Sequence, residues 1–471
     1  MNRPGIAALL SALWPGLGQA WLGARRRALL VALPMFGLVA AVAAVALLNV
    51  RLLIDGFVQP GTLEAILVGV LVLAVYHLLA VRDAFRVGVR RGGPDASGRT
   101  PILLLALALV VGLYGSVELV GVHAYEATST IFVNPGTGFT IPSASFAPTD
   151  EPGSALGTTP SPSPEPSATA LPVPAWAADG RLNLLLIGSD AGPGRWSLRT
   201  DTMIVLSVDI ATHRAAMFGI PRNIVNVPLA PEDQDAFPNG RFPQFLNALY
   251  VYAMGHANQF PGGDARGFRA VTGAVQELVG VPLDGAIVVD LNGFVDLVNA
   301  VGGLWINIPQ RLYDAHYPKP DGSGYIQISI PPGCQQLNGD RALEYARSRH
   351  QDDDYARMRR QQAVLLALRH ELNPIALLPR VPQLLDIAKN NLWTTIQPGD
   401  IADLAALAAH VDSHDIQTIE LSPPTYPEFL NTEEIKAIQK RVQTIFAAVP
   451  SAAASPSPMP SATPKPCPQT P

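Results

Sequence analysis

Five arginines, Arg347, Arg349, Arg357, Arg359 and Arg360, fall within 14 residues of the stretch Tyr345-Ala-Arg-Ser-Arg-His-Gln-Asp-Asp-Asp-Tyr-Ala-Arg-Met-Arg-Arg-Gln-Gln362. Each guanidinium is a planar, permanently charged fork that meets phosphate oxygens two at a time. Such density points to a phosphorylated ligand. Asp352, Asp353 and Asp354 lie in the same stretch, so a solvated, salt-bridged helix face is the competing reading.

The other residues able to do chemistry sit where strands should end. The run 182–187 reads as a buried strand leading into Gly188-Ser-Asp190. Arg199 and Asp201 precede a second strand over 203–208; two apart in extended backbone, they project to one face. Arg222 follows a third strand, 215–220, stopped by Pro221. Taken singly, Asp190 is an ordinary turn residue and Arg199–Asp201 an ordinary local ion pair. Together they place two carboxylates and two guanidiniums at strand ends, where ligands bind in α/β sheets. Oxygen-only carboxylates beside a phosphate suit Mg²⁺, which takes one or two of them and keeps waters. In-line phosphoryl transfer needs charge neutralisation more than covalent help. Asp190, Asp201, Arg199 and Arg222 are therefore the candidate catalytic set, with Asp190 and Asp201 as metal ligands and Asp190 as a candidate base.

A helix over 354–372, capped by Asp354, puts Arg357, Arg360 and Gln361 on one face at i, i+3 and i+4. Val364 and Leu368 continue that face, so one stripe begins cationic and becomes apolar. This suits a ligand with a phosphate head and a hydrocarbon tail; it also suits an amphipathic helix packed on a sheet. Arg359 falls off the stripe and is expected to face solvent. His350, the one histidine in the stretch, reads first as a bystander.

Several chemistries find no support. There is no GxxxxGK[ST] loop, GxSxG elbow or HExxH pair, and no Cys/His cluster for zinc. A net charge of −5 argues against a nucleic-acid partner. The only cysteines are Cys334 and Cys467; one disulfide or two free thiols are both open.

These residues must be carried by a chain that is 471 residues long and 48% hydrophobic, longer than one ordinary domain and too apolar to be fully soluble. Three apolar runs, 28–48, 63–81 and 102–122, match the ~20 residues a membrane helix needs. Within them His77 and Glu118 are expected to tilt toward an interface. Arg25, Arg26 and Arg27 precede the first run, five arginines separate the second from the third, and no Lys or Arg occurs over 100–180. By the positive-inside rule the segment 82–101 is cytoplasmic and everything after the third span is outside. The run 5–22, broken at Trp14-Pro-Gly-Leu-Gly-Gln19, reads as a re-entrant or interfacial hairpin as readily as a span. The organisation expected is a membrane region over 1–126, a Pro/Ser/Thr-rich linker over 127–178 with ten prolines from Pro135 to Pro174, a globular domain over 179–449, and a disordered Pro/Ser-rich tail over 450–471. In the globular region strands alternate with helices over 267–279 and 293–301 and a helix capped by Asn338, giving an α/β domain with its sheet covered on both faces.

Eight motifs occur in order: Leu184-Leu-Leu-Ile-Gly-Ser-Asp190, Arg199-Thr-Asp-Thr202, Ile220-Pro-Arg222, Val288-Val-Asp-Leu-Asn-Gly-Phe294, Val301-Gly-Gly303, Leu337-Asn-Gly339, Ala346-Arg-Ser-Arg349 and Arg357-Met-Arg-Arg-Gln-Gln362. With them the chain resembles the LytR-CpsA-Psr (LCP) family over about 180–445. The resemblance implies a three-layer α/β/α sandwich with a central mixed sheet, outside the cell membrane and preceded here by an all-α transmembrane region. It implies transfer of a glycopolymer from a polyprenyl pyrophosphate carrier to peptidoglycan, forming a phosphodiester. Carried over by motif, Asp190 and Asp201 would hold Mg²⁺. Arg199, Arg222, Arg347, Arg349, Arg357 and Arg360 would bind pyrophosphate with Gln361 nearby, and Val364 and Leu368 would line a lipid tunnel. The chain departs from the family in three places. Asn223 stands where Asp is usual, Phe245-Leu246 stands where a Lys often precedes the Asn of Asn247-Ala248, and three spans replace the usual single anchor. A hydrolase using water, or a polyprenyl-phosphate-binding envelope regulator without turnover, are the alternatives.

Overall fold

The computed structural model describes residues 3–48, 56, 59–92, 99–131, 175–177, 179–190, 199–319, 323–372, 377–412, 416–446 and Cys467. Most of the expected linker and tail lies outside these residues. The chain divides into two units, one of Met1–Phe132 with Ala376–Asn390 and Gln397–Ala405, the other of Val133–Ile375, Asn391–Ile396 and Ala406–Pro471.

The first unit contains α1 (Arg3–Leu13), α2 (Leu17–Trp21), α3 (Arg25–Leu48), α4 (Pro60–Gly92) and α5 (Arg99–Ile131). Within α3, α4 and α5, the stretches Arg25–Val45, Gly61–Arg91 and Pro101–Ile131 are long and apolar enough to cross a membrane. α5 runs past the expected boundary at 126. α1 is 11 residues long, about 16 Å, half of a hydrocarbon core. It turns back at Gly16 into α2 instead of spanning. Polar groups of this hairpin bond internally: Gly18 N–H donates to Ser11 Oγ at 3.1 Å, and Gln19 Nε2 donates to the Ala80 carbonyl at 3.0 Å. His77 does not tilt to an interface. It is buried, with ring nitrogens 2.9 Å from the Ser11 carbonyl and 3.2 Å from the Tyr114 hydroxyl.

The second unit carries ten strands used below: β1 (Arg181–Ser189), β2 (Thr200–Asp209), β3 (Ala215–Gly219), β4 (Gly285–Val289), β5 (Leu304–Ile308), β6 (Leu312–Pro318), β7 (Tyr325–Ile330), β8 (Gly333–Leu337), β9 (Leu392–Thr394) and β10 (Ile416–Glu420). Its helices include α6 (Arg266–Val279), α7 (Leu291–Val301), α8 (Gly339–Arg347), α9 (Asp354–Glu371) and α10 (Thr432–Gln443). The central sheet has the order β9-β4-β1-β2-β3-β10. β1–β4 and β3–β10 are parallel; β1–β2, β2–β3 and β4–β9 are antiparallel. The expected mixed sheet with flanking helices is thus the observed architecture.

The two-residue period of the strands sorts their side chains between two faces. Leu185, Ile187, Met203, Val205, Ala286 and Val288 pack under α6 and α10 in the larger core. Their neighbours Leu186, Ile204 and Ile287 face the opposite way, into a cavity. A second core joins α7, β5, β8 and α8, with Val364 of α9. Helices α7, α8 and α9 start on side-chain caps: Asp290 accepts from Gly293 N–H, Asn338 from Arg341 N–H and Asp353 from Ala356 N–H. The last of these corrects the expected cap by one residue and frees Asp354 for another task. At Gly339 a Cβ would stand 2.2 Å from the Val295 carbonyl oxygen, so glycine lets α8 seat against α7. Cys334, on β8, forms a disulfide with Cys467.

Candidate functional site: an arginine-rimmed cavity

A cavity of about 740 Å³ opens where β1, β3 and β4 end and β2 begins. Asp190 leaves β1, and its Oδ1 accepts from the Arg199 amide at 2.7 Å, closing the base of the segment before β2. Asp201, on β2, accepts at Oδ1 from Arg222 Nη1 at 2.8 Å and from Asn247 Nδ2 at 3.2 Å. Arg222 also reaches Asp354 with Nε at 3.2 Å, and the other oxygen of Asp354 lies 3.0 Å from Arg357 Nη1. Charges therefore alternate from Asp201 through Arg222 and Asp354 to Arg357.

This chain tunes its members. Burial alone would raise the Asp201 pKa, but the Arg222 charge and the Arg222 and Asn247 donors hold it below the usual carboxylate range. The two carboxylates on Arg222 raise its pKa against the effect of burial. Arg357 is pulled the other way. Burial, then the charge of Arg222, lowers its pKa to about 10 despite Asp354 and Asp201. A guanidinium stays charged there at neutral pH, so the depression marks a buried cation short of negative charge. Its Nε is buried with no hydrogen-bond partner. Arg199, Arg347 and Arg349 also line the cavity, and none has an ion-pair partner among the described residues.

Gln361, Val364 and Leu368 line the cavity as their stripe on α9 requires. Beyond the arginines the walls are apolar, with Leu186, Ile204, Ile287 and Phe294 facing Leu343 and Val364. Asn223 and Phe245, the two positions of family departure, stand on the wall, and Phe245 is 53% exposed. Arg359 faces solvent, paired with Glu420 at 3.0 Å.

Arg360 is the correction. It does not line the cavity. Its Nε donates to the Tyr345 carbonyl at 2.9 Å, its Nη2 to the Ser348 carbonyl, and its Nη1 pairs with Asp352. The end of α8 leaves carbonyls without intrahelical donors, and Arg360 supplies two of them from the next helix. Arg360 thus holds the Arg347–Arg349 segment rather than phosphate. Arg360→Met is expected to destabilise the fold by roughly 3–5 kcal/mol, since Asp352 and two carbonyls lose their partner. A thermal midpoint unchanged from wild type would contradict this.

Three site residues escaped the sequence reading: Asp354, Asn247 and Asp314. The Asp352–Asp354 run was visible, but a one-residue shift of the helix start decides which carboxylate caps and which faces Arg222. Asp314 is buried on β6 and bonds the Ser348 hydroxyl at 2.9 Å. His350, read as a bystander, lines the cavity with Nδ1 2.9 Å from Asp314.

Residues 158–445 match the LytR_cpsA_psr family. Among similar proteins is the polyisoprenyl-teichoic acid–peptidoglycan teichoic acid transferase TagV of Bacillus subtilis strain 168. It is 27% identical over 226 residues, covering 48% of this chain and 52% of TagV. The teichoic acid transferase TagU of Oceanobacillus iheyensis is 29% identical over 243 residues, 51% of this chain and 66% of TagU. The chain thus spans about half to two thirds of the length of these relatives. A crystal structure of B. subtilis TagV superposes with a TM-score of 0.42 at 24% identity, covering 57% of this chain and 98% of that one.

Proposed function

The chain belongs to the LytR-CpsA-Psr family, and on that premise we propose that it moves a glycopolymer from a polyprenyl pyrophosphate carrier to peptidoglycan, leaving a phosphodiester. One observation carries the reading: Arg357 is buried in the wall of a largely apolar cavity, its Nε unpartnered, beside Arg222. That arrangement suits an anionic head joined to a hydrocarbon tail, as in a polyprenyl pyrophosphate. Similarity to the teichoic acid transferases TagV and TagU supports the same assignment.

In this reading Arg199, Arg347, Arg349 and Arg357 hold the pyrophosphate oxygens, and Arg222 sets the position of Asp201 and Asp354. Val364 and Leu368 lie along the lipid. Asp190 and Asp201 offer only oxygen donors. Among the described residues no group of three or more His, Cys, Asp or Glu side chains converges. Such a donor pair fits Mg²⁺, a cation that completes its shell with substrate phosphates and water. When bound, Mg²⁺ would supply charge neutralisation on the phosphates. A carboxylate engaged by a cation is a poor proton acceptor, so Asp190 is better placed as a ligand than as a base.

The three apolar helices serve as membrane spans, with segment 82–101 on the cytoplasmic side. The linker after Ile131 then carries the catalytic domain, 179–449, on the outer face, followed by the tail over 450–471.

The test uses full-length protein in nanodiscs with a labelled polyprenyl-pyrophosphate oligosaccharide and peptidoglycan. Mg²⁺-dependent label in peptidoglycan through a phosphodiester is expected. Release of free sugar phosphate would indicate hydrolysis instead, and tight binding without product would indicate a regulator.

A further inference from the structure

Nothing in the arginine cluster removes the proton of an incoming hydroxyl. The hairpin β6–β7 brings a group that can. Asp314 sits on β6 where the ladder with β7 is interrupted, and it is 1% exposed. Its carboxylate accepts from the Ser348 hydroxyl at 2.9 Å and from the His316 amide at 2.9 Å, and lies 2.9 Å from His350 Nδ1. Burial would push its pKa up, yet these donors hold it below the ordinary carboxylate range. An ionised carboxylate only accepts, so in the neutral ring Nδ1 of His350 carries the hydrogen and Nε2 the lone pair. Nε2 has no hydrogen-bond partner among the described residues, and the side chain is 43% exposed.

His350 and His316 line the arginine cavity and also a second hollow of about 450 Å³, completed by Arg311, Tyr313, Ala315 and Gln351. That hollow is built by specific bonds. Gln351 Nε2 donates to the Arg311 carbonyl at 2.8 Å and Gln351 Oε1 accepts from the Tyr313 amide, joining the arginine segment to the hairpin edge. Its wall sets a 44% exposed Tyr313 ring beside the polar side chains of Arg311 and Gln351, a surface suited to a sugar face. Ser348, held by the same Asp314, lies between Arg347 and Arg349. One buried carboxylate therefore fixes two phosphate-facing arginines and orients the imidazole.

We propose that the second hollow seats the acceptor saccharide and that His350 is the proton acceptor for its hydroxyl, with Asp314 as the positioning residue. The inference rests on the transferase reading above. In the step, Nε2 takes the hydroxyl proton as the hydroxyl oxygen bonds to the phosphorus that carries the glycopolymer. The bond from that phosphorus to the bridging oxygen breaks, and its electron pair leaves with polyprenyl phosphate. The proton rests on the imidazole, facing the Asp314 carboxylate. The other titratable or charged groups around these two hollows are Arg311, Tyr313, His316, Tyr317 and Tyr325 of the hairpin, Arg347 and Arg349 of its own segment, Asp354 and Arg357 of α9, and Asp190, Arg199, Asp201, Arg222 and Asp290 at the strand ends.

The test measures transfer by the full-length protein between about pH 5 and 9 with saturating donor and acceptor. H350Q is expected to lower kcat by about 10²- to 10⁴-fold at unchanged donor affinity and to abolish the acid limb of the profile. Added imidazole should restore turnover to H350A, and Y313A should raise the acceptor KM while leaving the donor KM alone. Unchanged donor affinity reports that each variant is folded. H350Q turning over within about threefold of wild type, or keeping the acid limb, overturns the inference and leaves the transferase reading standing. A wild-type protein that binds donor but never transfers overturns both.

Discussion

Arg357→Met is expected to remove transfer while leaving the fold as stable as wild type or more so. Arg357 is buried on α9 beside Arg222, with Asp354 as its ion-pair partner and an unsatisfied Nε. Methionine keeps most of the volume and removes the charge. Asp354 retains Arg222, so no carboxylate is stranded. The usual cost of breaking a buried ion pair comes from the charge left unpaired, and here the charge removed is the one that burial and Arg222 disfavour. Function should move the opposite way. Losing one preorganised donor to developing phosphate charge costs about 10²- to 10³-fold in rate by analogy with oxyanion sites. Thermal unfolding and kcat/KM on one preparation check both halves. Normal kcat/KM, or a loss of activity fully accounted for by unfolding, would contradict the assignment.

Asp201→Asn should be comparably damaging for a different reason. The amide keeps the shape and can still accept from Arg222, but it cannot offer a charged oxygen to Mg²⁺. Transfer should lose its metal stimulation while polyprenyl phosphate still binds. The stability comparison has a definite pH sign. Because the Asp201 pKa lies below its unfolded value, its contribution is fully present above about pH 4 and is lost as pH falls through the folded value. Wild type should therefore exceed the variant in stability at neutral pH, with the gap closing in acid. Urea unfolding at several pH values checks this, and a gap that widens on acidification would contradict it. Wild-type metal dependence in the variant would remove Asp201 from the metal site.

Much of this site was legible because its parts are local. The apolar runs of β1 and β2, the Arg199–Asp201 spacing and the stripe from Arg357 through Gln361 to Leu368 follow from local pattern and from strand and helix periods alone. What escaped depends on partners distant in sequence. Arg357 and Arg360 share a stripe, and a helical wheel cannot say which meets ligand and which meets the carbonyls ending α8. Asp314 lies in a hairpin with no local signature, and its role exists only once Ser348 and His350 fold against it. β9 and β10 were missed because they are short edge strands whose pairing spans a hundred or more residues. His77 looked able to reach an interface as an isolated helix residue; the partners on α1 and α5 that bury it are tertiary.

The central claim is that one cavity holds a phosphate head at its arginine rim and a hydrocarbon chain along α9. A crystal structure of the protein with a polyprenyl phosphate tests it most directly. The account predicts phosphate oxygens within hydrogen-bond distance of Arg357 Nε and the Arg347 and Arg349 guanidiniums, with the hydrocarbon against Val364 and Leu368. A head group bound away from Arg357, or a chain lying outside the cavity with Val364 and Leu368 untouched, would contradict it.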